Sequence, residues 1–289
     1  MTENAEPIIV GTDGSPAAER AVSWAAEEAA IAGRPLDVVH VVERRIYDGP
    51  ASIISGIRET LAERGLQILR EARDQALRER PGLVVEMSLV HDTTVHAGLR
   101  AHSAGAFEVV VGHRGLGGFT GLLLGSTGLR LAGHLPGAVV IVRGTGDPVA
   151  GEVVAGLDLT DPPEPVLDHA FAAADRRHAR LRVLHAWRPA PLGSQSAADL
   201  EGADTAFRDH LSAAITPWRA RHPNVKVIED VVRGHPADEL IGVSSHADLV
   251  VVGYRTHAGP HLGSVSHAAI HHTHCPVAVV RPEKERLDR

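Results

Sequence analysis

The chain has 289 residues, 44% of them hydrophobic and 22% charged, with a formal net charge of −7 when its histidines are neutral. This is the balance of a globular protein with room for two ordinary domains. The acidic excess, with lysine only at Lys226 and Lys284, argues against a nucleic-acid binder, and no apolar run is long enough to span a bilayer. The single cysteine, Cys275, excludes an internal disulfide framework.

Aromatic residues make up only 3% of the chain, so Val, Leu, Ile and Ala must form the core. Such a composition suits buried parallel strands covered by Ala-rich helices. The acidic N-terminus lacks the pattern of a secretory leader, and together with the lone cysteine this sets the expectation of a cytoplasmic protein without membrane segments.

In chain order, Pro7 to Thr12 reads as a first strand. Ser15-Pro16 then supplies an N-cap and a first helical residue, and Gly33 the residue past the helix end. Leu36 to Val42 is a continuous apolar strand. A long helix follows with Ile57, Leu61, Ile68 and Ala72 on one face, closed by Pro81-Gly82. Next come a strand over Val84 to Val90, a helix near Val95 to Ser103 and a strand over Phe107 to Val111. A Gly-rich loop, a helix after Ser126 and a strand over Ala138 to Val142 complete five strands and four helices.

The same order then recurs. PIIVGTDGS is answered by EVVAGLDLTD, LDVVHVV by LRVLHAW, AFEVVVGHRG by ADLVVVGYRT, and LPGAVVIVRG by CPVAVVRPE. Four correspondences in one order mark two homologous units of about 140 residues joined near GTGDPVAGE. The expected domains are residues 1–145 and 150–283, with 284–289 as a tail. Alternating strands and helices make each an α/β domain with a doubly wound, five-stranded parallel sheet.

In such a sheet ligands bind beyond the carboxyl ends of the strands, where the strand order reverses. Gly11-Thr12-Asp13, Val41 and Gly112 all fall at strand ends. Gly112, Gly115 and Gly125 have the spacing Gly-x2-Gly-x9-Gly and are followed by Ser126-Thr127. Glycines permit positive φ and close approach to an anion, and the start of a helix favours phosphate through its N–H groups and dipole. The lysine of a P-loop is missing, as is Gly-x-Gly-x-x-Gly after the first strand, so neither a P-loop NTPase nor a typical dinucleotide fold is indicated.

The Gly-Thr-Asp-Gly-Ser-Pro turn, the VVHVV strand and Gly-x2-Gly-x9-Gly-Ser-Thr together resemble the universal stress protein family, in its tandem two-domain form, over nearly the whole chain. The resemblance implies a Rossmann-like fold of the adenine nucleotide alpha hydrolase type. It also implies ATP as ligand, with Mg or Mn bridging the phosphates. Asp13 and Val41 would hold the adenosine, and Gly11 would let it lie close. Gly112, Gly115 and Gly125 would contact ribose and phosphates, Ser126 and Thr127 would close on the phosphates, and His113, Arg114 and Gly117 would line the same loop. In this family the last strand often pairs two domains, which implies an internal pseudo-dimer through Ala138 to Val142 and Val277 to Val280, with a homodimer also open. The implied role is a stress-response sensor or regulator with a protein partner that the sequence does not name. The rival readings are a slow ATPase or nucleotidyl-transfer enzyme and a scaffold that binds no nucleotide. No catalytic residue is assigned.

The second half departs from the pattern. Gly156, Asp158 and Gly253 persist, but Thr256 replaces a loop glycine and the loop to Gly263-Ser264 is three residues shorter. Ala186 stands where the first half has Val41, and Asp161 adds a carboxylate. The expectation is a weakened, altered or empty second site, in which Gly263, Ser264 and Ser266 hold at most a smaller anion. Asp13 also suits a structural cap on a nearby N–H, and His40 and His185 read as structural strand residues. The run His271, His272, His274 and Cys275 lacks the paired spacing of a structural zinc site, so no metal site is expected there.

Overall fold

The computed structural model describes residues 5–43, 51–115, 125–144, 151–189, 196–254 and 262–282, with backbone alone for 51–58. The chain divides into two compact units, Met1–Gly146 and Asp147–Arg289.

Unit 1 runs β1 (Ile8–Gly11), α1 (Pro16–Ala32), β2 (Leu36–Glu43), α2 (Ala51–Glu79), β3 (Val85–Asp92), α3 (Val95–His102), β4 (Glu108–Gly112), α4 (Ser126–His134) and β5 (Gly137–Val142). All strand pairings are parallel, in the order β3-β2-β1-β4-β5. The chain moves from β1 through β2 to β3 on one side and then crosses to β4 and β5 on the other, so the order reverses between β1 and β4. Helix α1 packs with α2, and α3 with α4, which covers both faces. Covered faces explain why β1, β2, β4 and β5 are almost continuously apolar, whereas edge strand β3 is only partly buried.

Local chemistry sets the ends of α1. Ser15 has extended backbone and its Oγ accepts from Ala18 N at 3.2 Å, while Pro16 occupies the first turn. Gly33 closes the helix in the left-handed region at φ 63°. Helix α2 is rotated from the expected face. Leu69, Ala72 and Ala76 are buried, whereas Leu61 and Ile68 are half-buried and the side chain of Ile57 lies outside the described residues. Ile68 instead lies under Gly14, whose φ of 76° forms the turn after Asp13.

Unit 2 repeats the plan with β6 (Glu152–Gly156), α5 (Glu164–Arg176), β7 (Arg180–Trp187), α6 (Ala197–Arg221), β8 (Val227–Arg233), α7 (Pro236–Ser244), β9 (Leu249–Gly253), α8 (Ser264–His272) and β10 (Val277–Arg281). Its parallel order is β10-β9-β6-β7-β8. One difference governs its site. Helix α1 starts three residues after Asp13, but α5 starts only at Glu164, six residues after Asp158, with Pro163 as an N-cap that makes no side-chain hydrogen bond. A residue before proline is steered away from helical geometry, so Asp161-Pro162-Pro163 delays the helix. No described helix is long and apolar enough to cross a membrane.

Candidate functional site

In unit 1 the reversal point lies between the ends of β1 and β4, and a cavity of about 100 Å³ opens there. Its lining includes Gly11, Asp13, Val41, Gly112, Arg114, Gly115, Gly125 and Thr127, drawn from positions more than 100 residues apart. His113 and Ser126 border the loop without lining the cavity, and Gly117 lies outside the described residues. Sequence reading missed Val95 and Leu99 of α3, which supply part of the apolar wall. Their signal was the apolar face of a helix that begins at Val95, just after β3 ends at Asp92.

The loop glycines serve close approach rather than positive φ: none of Gly112, Gly115 and Gly125 lies in the left-handed region. A Cβ on Gly112 would stand 2.6 Å from the Ala17 carbonyl oxygen and 3.0 Å from Ala18 N, so the end of β4 rests directly on the first turn of α1. A Cβ on Gly115 would stand 2.5 Å from Asp13 Oδ2. The Asp13 carboxylate therefore bridges two jobs. Its Oδ1 accepts from Ser15 N at 3.0 Å, a structural turn bond, while Oδ2 faces the loop backbone. Gly98 gives α3 the same intimacy with Val41, since a Cβ there would come 2.8 Å from the Val41 Cγ1.

The far end of the loop is pinned by Gly125 N, which donates to the His113 carbonyl at 2.8 Å. Gly125 is also the N-cap of α4 and makes no side-chain cap bond, so the first turn of α4 presents its N–H groups toward the loop. Cationic charge gathers behind it. Burial, and then Arg143, Arg20 and Arg114, hold the His113 imidazole below its ordinary value of 6.5. Burial and Arg114 likewise lower the guanidinium of Arg143. His113 Nδ1 lies 3.2 Å from the Val142 carbonyl, which accepts a hydrogen bond from the ring when Nδ1 carries the proton. Of these arginines the sequence reading identified only Arg114. Arg20 and Arg143 reach the loop through the packing of α1 on β4 and β5.

His40 Nδ1 contacts the Thr12 carbonyl at 2.8 Å and His185 Nδ1 contacts the Leu157 carbonyl at 3.0 Å, so both histidines tie the second strand of a unit to the end of its first. Among the described residues no three His, Cys, Asp or Glu side chains are grouped to hold a metal. Cys275 is buried, which pushes its thiol up to about 12, with Asp248 adding to the effect.

Unit 2 has a larger cavity, about 350 Å³, at the corresponding reversal between β6 and β9. All of Gly156, Asp158, Ala186, Gly253, Gly263, Ser264 and Ser266 line it. The late start of α5 accounts for the space: a Cβ on Gly253 would meet only a Val166 methyl at 3.1 Å, where Gly112 meets helix backbone. Thr127 of the first lining is matched by Val265, and Ser266 Oγ donates to the Gly253 carbonyl at 2.7 Å. Tyr254 takes the place of His113, and Arg281 lies over its ring at 4.4 Å. Thr256 lies outside the described residues.

Two doubly wound parallel α/β units, each with a glycine-edged crevice where its strand order reverses, define the class of this protein. The model of the universal stress protein family matches residues 4–143 and again 151–281. The chain is 33% identical over 290 residues to a universal stress protein of Mycolicibacterium smegmatis, covering 95% of this chain and 97% of the relative. It is 33% identical over 288 residues to one of Mycobacterium tuberculosis, covering 95% and 96%. A universal stress protein crystal structure from Archaeoglobus fulgidus shares the fold at a TM-score of 0.69 and 16% identity, covering 95% of this chain and 98% of that one. The chain belongs to the universal stress protein family, with two tandem family domains.

Proposed function

We propose that unit 1 binds ATP and that the protein acts as a nucleotide-dependent regulator in stress response. The observation that carries this reading is the convergence at one reversal point of Asp13, the backbone of Gly112 and Gly115, the first turn of α4 and the cationic Arg114. Apolar Val41, Val95 and Leu99 offer a wall for a base. The Gly115 backbone and the α4 N–H groups offer donors for phosphate, and Arg20 and Arg143 add positive potential behind them. The cavity of about 100 Å³ is smaller than a nucleotide, so the triphosphate extends over the open mouth above the strand ends. Asp13 is the only carboxylate in the described lining, and a single carboxylate suits a Mg or Mn ion carried chiefly by the phosphates.

The test is to denature the purified full chain, then identify and quantify the released nucleotide, and to titrate ATP into stripped protein. About one ATP per chain retained in this way supports the reading. Gly115→Val, which drives a side chain into Asp13, should abolish retention while leaving unit 2 folded. Unchanged ATP affinity in that variant refutes the site. Recovery of ADP, with phosphate released during incubation, would favour slow hydrolysis.

A further inference from the structure

We infer that the unit 2 cavity is a site for an unphosphorylated, flat, uncharged ligand of nucleoside size, and that it discriminates against the phosphorylated form. The inference shares with the nucleotide reading only the premise that a strand-end crevice holds a ligand.

Size comes first. At about 350 Å³ the cavity falls in the range of small-molecule pockets, and it is several times the volume found at the same place in unit 1. The space has a cause in the chain: Asp161-Pro162-Pro163 holds back the start of α5, so helix backbone does not press on Gly253. Pro162 and Pro165 line the opening this leaves.

The wall is chiefly apolar, with Leu157, Val166, Leu184, Leu240 and Val280 around it and Tyr254 buried in it. Such a lining takes up a ring system. The polar groups are a poorer set for phosphate than those of unit 1, although Gly263 caps α8 without a side-chain bond, as Gly125 caps α4, and Ser264 lines the cavity. Where the unit 1 lining has the Thr127 hydroxyl, Val265 presents methyl groups. Ser266 Oγ–H is already donated to the Gly253 carbonyl, which corrects the expectation that it would serve an anion. The loop from Gly253 to Gly263 is three residues shorter than its counterpart. Two carboxylates, Asp158 and Asp161, line the cavity against one arginine, the exposed Arg188, with Arg281 over the Tyr254 ring at 4.4 Å, whereas the unit 1 lining has one carboxylate and one arginine with Arg20 and Arg143 behind them. Asp158 Oδ1 already accepts from Thr160 N at 3.0 Å and from Thr160 Oγ1 at 2.7 Å, and the negative charge of the two carboxylates repels a phosphate.

The experiment uses the full chain and adenosine, AMP and ATP as probes, measured by equilibrium dialysis or calorimetry on the wild type and on Gly115→Val, Val265→Phe and Val265→Thr. Adenosine should bind saturably to the wild type and equally to Gly115→Val, and in the latter at least tenfold more tightly than AMP. Val265→Phe should weaken adenosine at least tenfold with ATP binding unaffected. Val265→Thr is nearly isosteric and restores the hydroxyl; it should narrow the adenosine-to-AMP ratio at least threefold while its melting temperature matches the wild type. Failure of adenosine to saturate, loss of adenosine binding in Gly115→Val, or AMP binding that variant as tightly as adenosine would each overturn the inference. So would an unchanged ratio in Val265→Thr. Adenosine behaving as described while ATP fails to bind the wild type would remove the unit 1 reading alone.

Discussion

Replacing Gly112 by alanine tests how closely the end of β4 rests on α1. The new methyl carbon would lie 2.6 Å from the Ala17 oxygen, 2.7 Å from the Ala17 carbonyl carbon and 3.0 Å from Ala18 N. All three are backbone atoms of a helical turn whose Ser15 cap and buried Ala17, Ala18, Ala21 and Val22 hold it in place, so no side chain can rotate away. Overpacking of this kind costs roughly 1–3 kcal/mol, and the backbone obstruction puts it near the upper end. Alanine recovers about 0.5–1 kcal/mol by restricting the unfolded chain, leaving a net loss of about 2 kcal/mol. For a unit of this size that lowers the melting temperature by about 4–8 °C. Gly253→Ala is the internal control. Its methyl meets one Val166 methyl at 3.1 Å, which a small side-chain adjustment relieves, so its net effect should stay within about 0.5 kcal/mol. Calorimetry of both variants, with hydrogen exchange of peptides covering β4 and β9, reads the two effects separately. Equal destabilisation by the two substitutions would refute the account of the delayed α5.

Three further outcomes follow from the electrostatics. Cys275, with its thiol pushed up to about 12, should react with a thiol reagent in the native protein about a thousandfold more slowly than in urea; comparable rates would contradict its burial. Burial, Arg143, Arg20 and Arg114 lower His113, so below its unfolded value of 6.5 the unfolded chain binds the extra proton first. Its contribution is fully present above 6.5 and lost as pH falls toward the folded value. Denaturant midpoints at pH 7.5 and 5.5 should therefore fall less in His113→Gln than in the wild type. Glu152 is buried and accepts from Arg182 Nε at 2.7 Å, with Arg180 at 3.2 Å. Glu152→Ala should cost about 2 kcal/mol in urea unfolding, less than a fully buried pair because both arginines reach solvent and Arg182 keeps Asp230.

Much of the fold was legible because most strands, β3 and β8 excepted, are largely buried and each helix is punctuated by a cap, a proline or a glycine. The candidate site was legible as a cluster, with Asp13 after β1 and the glycines after β4 meeting at one crevice, although Asp13 also makes the structural turn bond to Ser15 N. Of the two reasons given for those glycines, positive φ does not hold at Gly112, Gly115 or Gly125, whereas close approach does at Gly112 and Gly115. Positive φ is a local property a sequence suggests, whereas the pressure of Ala17 on Gly112 and of Asp13 on Gly115 arises only when α1 and the loop meet. Likewise α2 buries Leu69 beside Ala72, while Ile68 is half-buried beneath Gly14. The larger second cavity was hidden for the same reason. The sequence signal was present in Asp-Pro-Pro, but its effect is on where a helix begins, and cavity volume follows from that position.

The paired histidine contacts carry a consequence for descent. His40 holds the carbonyl of Thr12, and His185 that of Leu157, each within its own unit. Each crevice thus has a fastening drawn from its own unit. After a duplication, one copy could lose its hydroxyl, shorten its loop and gain two prolines without any matching change in its sibling. Selection could then act on the two crevices of one polypeptide as on two separate genes, while synthesis kept them at equal dose.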